Sequence, residues 1–368
     1  MPPPLTIAEL TPPGRGAIAV VRLQGPGAEQ CLAEHFRPLG RRPLAQYAPG
    51  TPLVGRFGLP PGETVVVRRI AAPLPAVEVC CHGGRAAVER VIAALADEDT
   101  RRVDWQTWLA EKETDPIRAA AAEDLAQART ARTAAILVDQ YAGALGAALV
   151  ELDRRTSACV RSPDDNRRAD ELRAELIARA PCGMHLLEPW RVVLTGRPNV
   201  GKSSLLNAML GYSRTIVHPR AGTTRDAVSA TTAVDGWPVE LCDTAGLDSA
   251  LAEPLAQRSM QRAEQALAAA DLVVLVLDRS QPWTDHDARL VERHPRALHV
   301  WNKCDLSPAA GLPGDERFGS PALHVSAVGG QGVEELLAEM SRRLVPDPPL
   351  PGMAVPFRRE HIERLRAI

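Results

Sequence analysis

Five short stretches of this sequence carry residue types that handle phosphate, metal and base recognition at fixed spacing. "GRPNVGKS", residues 196–203, follows an apolar run and precedes a helical pattern, the context that a phosphate-cradling loop requires. Its glycines let backbone amides turn toward phosphate oxygens, and Lys202 can reach the β- and γ-phosphates. Ser203 offers a hydroxyl to Mg2+. Asn199, Val200, Gly201 and Ser204 are expected to line the same cradle. "AGTTRD" (221–226) supplies Thr224 as a second magnesium hydroxyl, closing over the γ-phosphate. "DTAG" (243–246) sits at a strand end, where Asp243 can hold a magnesium-bound water and the Gly246 amide can meet the γ-phosphate, with Thr244 and Ala245 between them.

"NKCD" (302–305) selects the base. Asp305 accepts two hydrogen bonds from the guanine edge, which adenine has no donors to match. Asn302 steadies the base and the loop, and the Lys303 stem covers the ring. "SAV" follows, and one of the backbone amides of Ser326, Ala327 and Val328 is offered to the guanine oxygen. Five such motifs in order, each at a strand end, describe a guanine-nucleotide site that takes GTP and GDP.

One position resists this reading. In Ras-like enzymes the residue after Asp-x-x-Gly is a glutamine that orients the attacking water. Here it is Leu247, which forms no hydrogen bond through its side chain. Either the chain binds GTP without hydrolysing it, or another group positions the water.

The elements that must hold these residues follow from local pattern. Strands and helices alternate over 190–345, which predicts a mainly parallel sheet. "RVVLTG", "LVVLVLD", "ALHVWNKCD" and "ALHVSA" read as buried strands, each ending at a polar motif, where ligands of open α/β sheets sit. "AVSATTAV", Asp235-Gly236 and "WPVELCD" predict a hairpin, the one antiparallel element. Residues 1–100 mix short β-like runs with Gly/Pro turns and one helix near 27–36, an α+β domain. From 115 to 185 the chain is Ala/Leu-rich at near-helical spacing, starting at an Asp115 N-cap with Pro116 behind it and broken at "SPDDNRRAD". "VPDPPLPGMAVPF" is too proline-rich for regular helix, and a short helix over "RREHIERLRAI" closes a C-terminal segment, 346–368. The fold class is therefore α/β, with a P-loop GTPase domain inserted in a helical domain and preceded by an α+β domain.

Bulk properties narrow the function classes. A net charge of −2 leaves no global field to recruit nucleic acid, so an RNA contact needs a local patch. No apolar run approaches a membrane span and the start has no signal-peptide pattern, so a cytoplasmic protein without a membrane is expected. The 7 cysteines show no Cys-x-x-Cys pair, and neither a disulfide frame nor a zinc site is indicated. Cys80, Cys81 and His82 read as a strand end, because adjacent strand residues point to opposite faces. Lysine occurs only at 112, 202 and 303. Two of those three fall in the phosphate loop and the base motif, where arginine's broad fork does not replace a compact ammonium.

With these residues in hand, the chain resembles the MnmE (TrmE) family of tRNA modification GTPases over nearly its whole length. "GRPNVGKSS", "AGTTRD" and "DTAGL" are shared with other GTPases; "LTIAELTPPGRGAIAVVRLQGP" at the start, "VEVCCHGG" and "EDLAQART" carry the likeness more specifically. The resemblance implies an answer to Leu247. In that family a potassium ion beside the phosphate loop replaces an arginine finger. Asn199 matches its ligating asparagine, and the carbonyls of His218 and Arg220 with Thr223 complete the shell. Homodimerisation of GTPase domains orders that loop. The implied catalytic set is Lys202, Asn199, Thr224, Gly246 and an acid beyond the second switch. The family's glutamate aligns with Leu255 or Ala256, and Glu253 is the nearest acid, so either Glu253 serves or hydrolysis is slow.

The family's N-terminal domain takes a reduced folate as one-carbon donor; Arg22 and Glu78 match two of its contacts, while an expected lysine is Ala122. The family acts on the tRNA wobble uridine with an FAD-dependent partner. Its chains end in Cys-x-Gly-Lys, whereas this sequence stops at Ile368 with no cysteine after Cys304. The alternatives left open are a working modification GTPase, an offshoot serving as a GTP-dependent regulatory or assembly switch, and a scaffold that binds GTP without hydrolysis.

Overall fold

The protein is seen in a computed structural model that describes residues 4–11, 16–40, 42–71, 73–156, 162–212, 229–243, 261, 263–319 and 321–367. It divides into two compact units, residues 1–127 and 128–368.

The first unit is a 7-stranded sheet in the order β3-β4-β5-β6-β2-β1-β7. Its main strands are β1 (Thr6–Glu9), β2 (Ile18–Gln24), β4 (Leu53–Phe57), β5 (Glu63–Ile70) and β6 (Ala76–His82), with the short β3 (Phe36–Pro38) and β7 (Arg101–Val103) at the two edges. Alternation is strict in β5, where Val65 and Val67 are buried and Thr64, Val66 and Arg68 are exposed. The buried face packs beneath helices α1 (Ala28–His35) and α2 (Arg85–Leu95) through Leu32, Val88, Val91, Ile92 and Leu95. Cys81 belongs to this core, and burial pushes its thiol up to about 11. His82 is exposed on the same strand end, so the run forms no metal cluster, and none occurs among the described residues.

Helices α3 (Trp105–Lys112) and α4 (Pro116–Leu125) end the first unit. The Asp115 carboxylate accepts from the amides of Ile117 and Arg118, as its N-cap position predicts. The continuous helical pattern expected from 115 to about 157 is three helices instead. Thr130 caps a new start for α5 (Ala131–Tyr141), and Gly143, at φ 110°, separates α5 from α6 (Ala144–Thr156). Near-helical spacing survives the break between α5 and α6, because both helices bury their Leu residues. Leu137, Leu145, Leu149 and Leu152 are all buried in the second unit. No single helix among the described residues is long and apolar enough to cross a membrane; α5 and α6 together pass by length and composition but meet at 46°. α7 (Pro163–Met184) follows. The proline-rich segment beyond 345 is irregular and is stitched to α5 by Gln140, whose amide donates to Met353 O and accepts from Val355 N.

The sheet of the second unit has 6 strands in the order β13-β12-β11-β8-β10-β9. They are β8 (Trp190–Thr195), β9 (Ser229–Val234), β10 (Trp237–Asp243), β11 (Leu272–Asp278), β12 (Leu298–Asn302) and β13 (Leu323–His324). Every pairing is parallel except β9 with β10. Their turn has Asp235 at φ 48° and Gly236 at φ 78°, the left-handed pair that a two-residue hairpin demands. The five parallel strands thus present their C-termini on one side of the sheet, with β9 running the other way.

Candidate functional site

Parallel pairing sets the site. Asp243 is the register partner of Leu194, and Asp278 of Asn302, so these strands end in two matched pairs on the same side of the sheet, with β11 continuing beyond its Leu275–Thr195 pairing to Asp278. Between β8 and helix α8 (Lys202–Tyr212) runs the 196–201 loop. Gly196 is at φ 144°, and a Cβ there would lie 2.2 Å from Val276 O; only glycine fits against β11. A Cβ on Gly201 would lie 2.4 Å from the Asn302 amide. Asn199 holds a left-handed φ of 63° at the exposed turn of the loop. Val200, by contrast, is buried.

Lys202 is buried, and its ammonium donates to Gly196 O at 2.8 Å and Arg197 O at 2.9 Å, holding it at the mouth of the loop. Ser203 Oγ donates to Asp243 Oδ2 at 2.5 Å, with Asp243 almost wholly buried. Two candidate magnesium groups from separate motifs are therefore neighbours, and Ser204 follows exposed on the first turn of α8. Arg197 pairs with Asp287 at 2.9 Å. Asp287 is the third residue of α9 (Asp285–Arg293), whose Thr284 cap also accepts from Arg197 at 3.2 Å. This anchor on the loop carried no signal in the motif, since its partner lies 90 residues on.

The base motif closes on the loop from the other side. Asn302 Nδ2 donates to Val200 O at 2.9 Å, and Asn302 Oδ1 accepts from Ala327 N at 3.2 Å. One buried side chain thus ties "GRPNVGKS" to "SAV". The Ala327 amide is engaged by Asn302, Ser326 is buried with its hydroxyl accepting from Gly329 N, and Val328 is exposed. Lys303 is left-handed at φ 62°, and its ammonium reaches Asn199 O at 3.0 Å and Asp278 Oδ2 at 2.6 Å. Burial pushes the Asp278 carboxyl upward, but hydrogen bonds from Lys303 and Ser280 outweigh it and hold the group below its ordinary value. Asp305 is exposed two residues beyond Lys303.

A family model described as 50S ribosome-binding GTPase matches residues 191–303. The tRNA modification GTPase MnmE of Chloroflexus aurantiacus is 34% identical over 92% of this chain and 82% of its own length. The protein of the same name from Symbiobacterium thermophilum gives 34%, 92% and 82%. The chain belongs to the MnmE family. With the GTPase domain match, this makes it a GTP-hydrolysing enzyme. Among solved structures, the G domain of the T. maritima FeoB iron transporter is 27% identical, covering 43% of this chain and 98% of that one at a TM-score of 0.31.

Residues 213–228 and 244–260 lie outside the described residues. His218, Arg220, Thr223, Thr224, Thr244, Ala245, Gly246, Leu247 and Glu253 of this MnmE-family chain fall there, so the ion shell and the water-positioning acid have no described geometry.

In the first unit, Arg22 and Glu78 are cross-strand register partners and pair at 3.0 Å. Arg68, partner of Glu78 on the next strand, takes its other oxygen at 2.6 Å. The Arg22 guanidinium lies 5.1 Å from the Trp108 ring centroid. Gly83, just after β6, is crowded by its own chain. A Cβ there would meet Gly16 O at 2.1 Å. Ala122 lies on α4.

Proposed function

We propose that this chain hydrolyses GTP to GDP and phosphate in the service of tRNA wobble-uridine modification, acting with an FAD-dependent partner protein. The observation that carries the reading is the junction at Asn302, which joins phosphate loop, base motif and "SAV" loop through 2.9 and 3.2 Å hydrogen bonds. Such a junction aligns a guanine on one side with phosphates on the other, and catalysis of phosphoryl transfer is largely positioning and charge stabilisation.

In this reading Lys202 turns from the loop carbonyls to the β- and γ-phosphate oxygens. Asp305 accepts from the guanine edge. Ser203 and Thr224 would hold magnesium and Asp243 a water on it; the described pair, a hydroxyl beside a buried carboxylate, is an oxygen-only set of the kind that a hard cation prefers. When bound, that ion would supply positive charge to the phosphates. Asn199, His218, Arg220 and Thr223 would hold potassium. The exposed position of Asn199 at the loop's turn supports that role. Thr224 and the Gly246 amide close on the γ-phosphate, and Glu253 orients the water that Leu247 leaves unheld. Pairing of two GTPase domains completes the site.

The first unit is the place for a reduced folate. Two guanidiniums against one carboxylate leave Arg22, Arg68 and Glu78 with net positive charge beside the flat Trp108 ring, a surface suited to a planar anion.

Mass spectrometry of wobble uridines in a strain lacking the gene tests the function. The modification is lost and returns with the wild-type chain but not with Lys202→Ala. Unaltered uridines in the deletion strain would contradict the tRNA role.

A further inference from the structure

Asp278 belongs to none of the nucleotide motifs, yet its side chain holds the lysine of the base motif. β11 lies between β8, which carries the phosphate loop, and β12, which carries the base motif. Asp278 is the last residue of β11 and the register partner of Asn302. Its side chain is 4% exposed. A carboxylate buried that far is retained where partners compensate it. Those partners are specific: Oδ2 takes the Lys303 ammonium at 2.6 Å, and Oδ1 accepts from Ser280 N at 2.9 Å and Ser280 Oγ at 2.7 Å.

The consequence runs through Lys303. A lysine at φ 62° holds a conformation that non-glycine residues keep only when the surroundings enforce it. Here the ammonium is fixed at both Asp278 and Asn199 O. The backbone then turns tightly, with Leu306 N donating to Lys303 O at 2.9 Å and Cys304 N to Val325 O at 3.0 Å, which leaves Asp305 at the exposed tip. We propose that Asp278 is a positioning residue for guanine recognition: it locks Lys303 against the phosphate loop and thereby aims Asp305 at the base. This rests on the GTP-binding reading above and adds to it a determinant of base selectivity.

The test measures binding of fluorescent GDP, IDP and ADP derivatives to the full chain. Inosine lacks the exocyclic amine that Asp305 would read, so the GDP-to-IDP affinity ratio reports its aim and is independent of the folded fraction. Asp278→Asn weakens GDP by about tenfold and lowers that ratio by about threefold. Asp278→Glu restores part of both. In a Lys303→Met background the Asp278→Asn change causes no further fall in the ratio; an additive fall would show that Asp278 acts elsewhere and overturn the proposal. If Asp278→Asn does not fold, Ser280→Ala is the milder arm and shifts the ratio in the same direction. An unchanged ratio in the variant that folds overturns the inference while the wild-type preference for GDP stands. A wild-type protein with no preference for GDP over ADP overturns the guanine reading and the inference together.

Discussion

Ser203 Oγ donates to Asp243 Oδ2 across 2.5 Å, although 40 residues separate them in the chain. The parallel pairing of β10 with β8 makes them neighbours, with Asp243 opposite Leu194 at the strand ends. In the proposed site the Ser203 hydroxyl would be a magnesium ligand, with the Asp243 carboxylate as its neighbour. Ser203→Ala deletes one oxygen from that set. The magnesium concentration for half-maximal turnover should rise about tenfold, a loss of about 1.4 kcal/mol. A magnesium titration of GTP hydrolysis checks this, and an unshifted midpoint would remove Ser203 from the ion's shell.

Base choice should rest on Asp305. Asp305→Asn replaces an acceptor with a group that presents a donor to the guanine edge. A mismatched hydrogen-bonding group costs about 1–3 kcal/mol, so GTP affinity should fall at least about tenfold. Calorimetric titration decides it; unchanged binding would contradict the assignment.

These two residues were legible in the sequence because each closes a motif at the end of an apolar run. Asp278 also ends such a run, "LVVLVLD", but nothing within the run marks it. Its meaning comes from lateral register with Asn302, which a linear reading does not contain. Arg197 and Asp287 were illegible for the same reason. The helices after Asp115 show the opposite case: spacing revealed their apolar faces, while the breaks at Thr130 and Gly143 left that spacing intact. Arg22 and Glu78 were found through resemblance, and the cross-strand register supplies the physical reason that they meet.

A pH dependence follows from β12. His299 is 1% exposed, lies 4.9 Å from the Phe318 ring centroid, and neither ring nitrogen has a hydrogen-bond partner among the described residues. Burial, with help from the nearby charges of Arg343 and His294, holds its imidazole down to about 4. The folded value lies below the unfolded one, so the unfolded chain binds the proton first. Stability is therefore full above about pH 6.5 and is lost as pH falls toward 4, by on the order of 3 kcal/mol. Chemical denaturation at stepped pH should show that loss, reduced in His299→Leu. An equal slope in the variant would assign the acid sensitivity to other groups.

The central claim is hydrolysis assisted by a monovalent cation at Asn199, where Leu247 supplies no help to the water. Positive charge near the β–γ bridge stabilises the transition state more than the ground state. The most direct measurement is steady-state GTP turnover in potassium against sodium chloride, at matched ionic strength and at protein concentrations that allow GTPase-domain pairing. Turnover should be at least about tenfold faster in potassium, a barrier difference of about 1.4 kcal/mol. Asn199→Ala should erase most of that difference while weakening GTP binding less, and Leu247→Ala should leave it intact. Equal rates in the two salts would contradict the account.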